Sequence, residues 1–136
     1  MKIFTTFTLL ITTYLSSYSQ VSIGMTRDQV RNELLKETYS QIKYNPESKE
    51  MKEHFTFLDS NHPEVISMAA YFYDGRCNST ACVLPYERLN AMIEVLNKNY
   101  VKESNYTWID YSKVNTYWII KKEEYFFVLI TEVKFD

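Results

Sequence analysis

The chain has 136 residues and a formal net charge of −2, with 15 Lys and Arg against 17 Asp and Glu. That balance disfavours a nucleic-acid partner, since the one dense basic step, Lys121-Lys122, is cancelled at once by Glu123-Glu124. With only two Gly and three Pro, collagen-like and Pro-rich linker classes are excluded, and neither an internal repeat nor a low-complexity tract is visible.

The first nineteen residues read as an export signal. Lys2 supplies a positive start, Ile3 to Leu15 an uncharged apolar stretch, and Ser17-x-Ser19 the small-residue pattern of a cleavage site. Cleavage after Ser19 is expected. The competing reading, a retained membrane anchor, is disfavoured because the run is short, is diluted by five threonines, and has no basic stop-transfer cluster after it. A bacterial lipobox is also absent, as no cysteine lies near the cleavage site. Residues 20–136 are then expected to form a single domain, secreted or periplasmic, without a stable membrane anchor.

After the signal, Thr26 is an N-cap followed three residues later by Gln29, which completes a capping box, while Met25 and Val30 occupy the positions of a hydrophobic staple. A helix is predicted from there to about Thr38, with Val30, Leu34 and Leu35 as its apolar stripe. Residues 39–53 are polar and of mixed charge, and read as a solvated excursion with a short strand at Gln41 to Tyr44. His54 to Leu58 alternates as a strand. Val65 to Tyr73 is almost continuously apolar and predicts a central strand buried on both faces, ended by Asp74-Gly75 and a turn carrying the cysteines.

Cys77 and Cys82 are the only cysteines, and in an oxidising compartment a disulfide closing this small loop is expected. Redox chemistry has weaker support, because the spacing is not Cys-x-x-Cys. A second helix is predicted from Pro85 to Tyr100, where Leu89, Met92, Ile93 and Leu96 recur at helical spacing. Three strands should follow, at Tyr106 to Tyr111, Val114 to Lys121 and Tyr125 to Lys134, with Lys122-Glu123 connecting the last two. The fold class expected is α+β: two helices on one face of a largely antiparallel sheet of about five strands, ending in a three-stranded meander.

The stretch Ile23-Gly24-Met25-Thr26 with Val30 resembles the Ile-Gly-Met-[Ser/Thr]-x-x-x-Val helix start of small envelope domains of the SmpA/OmlA and β-lactamase-inhibitor-like type. That resemblance implies a module that binds other proteins. It covers about ten residues. The chain departs from the pattern in lacking the lipobox cysteine and the Gly-x-Pro after the first helix, and in adding a second helix between strands. The likeness therefore carries over the helix cap and no binding residue.

Catalysis has no positive support in the sequence. Gly-x-Ser-x-Gly is absent, neither glycine sits in a phosphate-cradling loop, and Glu123-Glu124 and Glu50/Glu53 read as solvated faces. No cofactor is expected. His54, Asp59, His62 and Glu64 lie within eleven residues and are the candidate metal ligands, although their spacing is that of no established site. Asn78-Ser-Thr80 and Asn105-Tyr-Thr107 match the N-glycosylation pattern, which matters only in a eukaryotic secretory route.

Aromatic loading of the C-terminal strands is the more informative feature. Tyr106, Trp108, Tyr117, Trp118 and Tyr125 are the candidate binding residues, because the last strands are apolar on both faces and helices can cover only one. The leading expectation is a non-catalytic domain that contacts another protein, or a second copy of itself, through an aromatic-rich sheet. A small-ligand or glycan binder stacking on Tyr106, Trp108 and Trp118 is the alternative. An unrecognised hydrolase comes third.

Overall fold

A capped helix is the first described element, and its cap forms as the sequence requires. In the computed structural model, which describes residues 21–133, Thr26 Oγ1 accepts from Gln29 N and Gln29 Oε1 accepts from Thr26 N, the two reciprocal bonds of a capping box. Helix α1 (Arg27–Leu34) buries Val30 and Leu34 and stops earlier than periodicity suggests, leaving Leu35 exposed. The expected signal segment lies outside the described residues.

Eight strands follow: β1 (Tyr39–Asn45), β2 (His54–Asp59), β3 (Ser67–Tyr73), β4 (Arg76–Pro85), then β5 (Val101–Ser104), β6 (Thr107–Asp110), β7 (Asn115–Lys121) and β8 (Tyr125–Glu132). Between β4 and β5 come a 3-10 turn (Tyr86–Arg88) and helix α2 (Leu89–Asn99). All eight strands form one antiparallel sheet in the order β1-β2-β3-β4-β8-β7-β6-β5. The expectation of an α+β fold with two helices on about five strands is thereby corrected: the molecule is mostly sheet, and its C-terminal meander has four strands rather than three.

The additional strands have identifiable causes. Asp74 and Gly75 both adopt positive φ, 52° and 78°, between the paired Tyr73 and Arg76. This is the geometry of a two-residue primed turn, so Asp-Gly links two strands rather than ending one. β4 runs through both cysteines, which were expected in a turn, and its register against β3 shifts at Asn78 between them. β5 is exposed at all four positions and so carries no apolar alternation to betray it. The β7–β8 connection also shifts by one residue, since Lys122 N donates to the Tyr125 carbonyl at 2.9 Å and leaves Glu123-Glu124 as the turn.

The topology repeats where the sequence does not. Each half is a helix followed by a four-stranded meander, and the final strands of the halves, β4 and β8, pair antiparallel at the sheet's centre. One sheet face meets the helices. Phe55, Ala70, Thr80, Ile130, Tyr117 and Trp108 align in a row across it, all buried. They join Val30 and Leu34 of α1 and Leu89, Met92, Val95 and Leu96 of α2 in a single core. Trp108 Nε1 donates to Asn97 Oδ1 at 2.8 Å, and Tyr100 stacks on Tyr117 at 4.5 Å between centroids, fastening α2 and the residue that follows it to this face.

Charge fastens the other helix. Glu53, expected on a solvated face, is buried. It takes Arg27 through both carboxylate oxygens and also accepts from the Tyr44 hydroxyl, tying the first turn of α1 to β1 and to the start of β2. The Arg27 guanidinium holds the Glu53 carboxyl below the usual carboxylate range.

Candidate functional site

Period two places the intervening residues on the opposite face, which no helix covers among the described residues. There Thr56, Ala69, Ala81, Leu129, Trp118 and Thr107 form the next row across the sheet. Its second and third members are alanines, facing each other across β3 and β4, and the neighbouring positions on the same face, Ser67 and Ser79, are also small. Larger side chains stand around them. Tyr71, Val83, Phe127, Leu129 and Ile120 wall a trough of about 390 Å³ whose floor is the alanine pair. A small residue at the centre of a pleated face leaves unfilled depth that its bulky neighbours enclose, and this volume falls in the range of small-ligand sites.

Trp118, Ile120 and Tyr125 extend the same face outward at 40%, 39% and 37% exposure. Tyr125 leans on Phe127, with ring centroids 5.4 Å apart. Trp118 is fixed by its indole N–H, which donates to Thr131 Oγ1 at 3.0 Å. Both sheet margins are poor sites for strand addition: β1 is bulged between Ser40 and Lys43, with Gln41 at φ 51°, and β5 is four residues long and charged.

The five aromatic candidates do not form one platform. Trp108 and Tyr117 pair with each other on the helix side and are fully and almost fully buried, so neither can meet a partner. Tyr106 is half-buried against that same core, with the Lys121 ammonium donating to its hydroxyl at 2.8 Å and lying 4.5 Å from its ring centre. Only Trp118 and Tyr125 reach the open face. The floor of the trough, Ala69 and Ala81, went unread. Its signal was present in Ser67-x-Ala69 and Ser79-x-Ala81, small residues at strand period, but pairing them required knowing that β4 exists.

The metal candidates are likewise separated. His54 and Asp59 occupy opposite ends of β2, on the order of 15 Å apart by strand rise. His54 is buried on the open-face side, stacked on Tyr71 at 5.1 Å, and its Nδ1 donates to the Lys52 carbonyl at 2.8 Å. Asp59 and His62 approach to 4.0 Å. Among the described residues, no group of three or more such side chains is placed to hold a metal ion.

Cys77 and Cys82 are both free, buried thiols on β4. Five positions along one strand separate them by on the order of 15 Å, twice the reach of a disulfide, so the expected crosslink is corrected. Burial pushes the Cys77 thiol up to about 11 and raises that of Cys82 as well. Among the described residues, no helix is long and apolar enough to cross a membrane. Compared with known proteins, the chain matches no family model, no curated protein and no solved structure.

Proposed function

We propose that this is an exported, non-catalytic binding domain that holds a small apolar ligand in the trough of its open sheet face. The observation that carries the reading is the alanine pair, Ala69 and Ala81, sunk among Tyr71, Val83, Phe127 and Leu129 on a face that neither helix covers. An uncovered apolar surface with a built depression is unfavourable in water, and filling it with an apolar molecule gains its burial. Ala81→Phe tests this by filling the trough from its floor. The uncharged probe N-phenyl-1-naphthylamine should bind the full chain saturably with enhanced emission. Ala81→Phe should lose that binding while its near-ultraviolet circular dichroism stays native. Enhancement that is absent in the parent, or unchanged in the variant, defeats the reading.

A second reading, contact with another protein or a second copy of the chain, is favoured by the exposed apolar side chains of Trp118, Ile120 and Tyr125 on the same face. Aromatic and aliphatic side chains so arranged are the usual anchors of interfaces. Sedimentation velocity of the parent and of Tyr125→Ala distinguishes it: a dimer that dissociates in the variant supports self-association, and a monomer in both removes it.

A further inference from the structure

The apolar trough does not end blindly. It adjoins a wider, more polar hollow of about 830 Å³ at the β3–β4 hairpin end of the sheet, and Lys52, Ser79 and Leu129 line both. The hollow adds Arg76, Asn78, Thr116, Thr131 and Glu132. Two cationic side chains and one carboxylate thus line it. Among the described residues, neither Lys52 nor Arg76 makes an ion pair, and Arg76 spends one donor, Nη1, on the Gly24 carbonyl at 2.9 Å, leaving the rest of its fork available.

From this juxtaposition, and resting on the reading of the trough as a ligand site, we propose that the ligand is a single-chain amphiphile with an anionic head. The tail lies over Ala69 and Ala81, and the head lies in the hollow beside Lys52 and Arg76. Burial of the tail supplies affinity, while the two unpaired cations supply the choice of head, since both attract an anion and repel a cation. Glu132 borders the same hollow and disfavours a head of more than one negative charge. Trp118 also lines the hollow, whereas Trp108 is sealed in the core, so a head arriving there changes the emission of one tryptophan only.

Titration of the full chain with dodecanoate and with dodecyltrimethylammonium, each below its self-association concentration, tests this by calorimetry and by tryptophan emission. Dodecanoate should bind at a single site at least tenfold more tightly than the cationic amphiphile, with the emission change abolished by Trp118→Phe. Arg76→Glu should reduce or reverse that preference and Arg76→Gln should reduce it less, both leaving binding of N-phenyl-1-naphthylamine intact, since Arg76 lines the hollow and not the trough. Equal affinity for the two heads, or a preference unmoved by Lys52→Glu and Arg76→Glu, overturns the proposal. If neither amphiphile binds while the uncharged probe binds and is lost in Ala81→Phe, the trough is a ligand site and the anionic head is wrong. If the probe also fails to bind, both readings fall.

Discussion

The indole nitrogen of Trp118 donates to Thr131 Oγ1 across β7 and β8 at 3.0 Å, which ties a large ring on the open face to the neighbouring strand although it is 40% exposed. Trp108, on the other face, has no exposure. The two tryptophans therefore divide the protein's emission by face. Acrylamide should quench the parent substantially, and Trp118→Phe should leave a blue-shifted emission that acrylamide barely touches. Residual strong quenching in that variant would show that Trp108 is not sealed beneath α2.

The division of the aromatics between faces also marks how far sequence reasoning reached. Period two paired Tyr106 with Trp108 and opposed Tyr117 to Trp118 correctly, but parity alone does not say which set meets the helices. That depends on register with β8, where Tyr117 lies opposite Ile130 and so joins the core row. The cap of α1 was legible because Thr26 and Gln29 interact over three residues. The trough was not, because Ala69 and Ala81 become neighbours only through an Asp74-Gly75 hairpin whose second strand was hidden by the polar run Asn78-Ser79-Thr80 and by two cysteines that suggested a crosslinked turn. Local chemistry could be read directly, whereas cross-strand chemistry needed the pairing.

Those cysteines give a direct chemical prediction. Both thiols are buried, and burial disfavours the reactive thiolate at each. The folded protein should react with no equivalent of Ellman's reagent over minutes at pH 8, and with two after denaturation in guanidinium without reductant. No reaction after denaturation would mean that the pair is oxidised, and with it that β4 does not run through both residues.

Glu53 links three elements through Arg27 and Tyr44, and Glu53→Gln removes the charge that both donors address. The expected cost is about 2 kcal/mol, the size lost with a buried hydrogen bond to a charged group. The sign with pH follows from the direction of the shift. A carboxyl held below its usual range in the folded state contributes stability that is present above the unfolded pKa and is lost as pH falls through the folded one. The melting temperature of Glu53→Gln should therefore lie below that of the parent at neutral pH, and the gap should narrow on acidification beneath the ordinary carboxylate range. A gap independent of pH would assign the loss to packing rather than to charge.

Val114 closes the four-residue connection between Asp110 and Asn115 with φ at 59°, a region that β-branched residues rarely adopt. Its surroundings hold it there. Asp110 Oδ1 accepts from the Ser112 hydroxyl and from the backbone N–H groups of Ser112 and Lys113, shaping the turn, and the Val114 carbonyl accepts from Val133 N at 2.9 Å, fixing the residue to the chain beyond β8. The side chain is 38% exposed, so removing it forfeits little burial. Val114→Gly should consequently stabilise the fold by about 1 kcal/mol, the relief of left-handed strain exceeding the added freedom of glycine in the unfolded chain. Urea unfolding should show a higher midpoint at unchanged slope. A lower midpoint would mean that the valine side chain contributes more to packing over the β6–β7 turn than its backbone conformation costs.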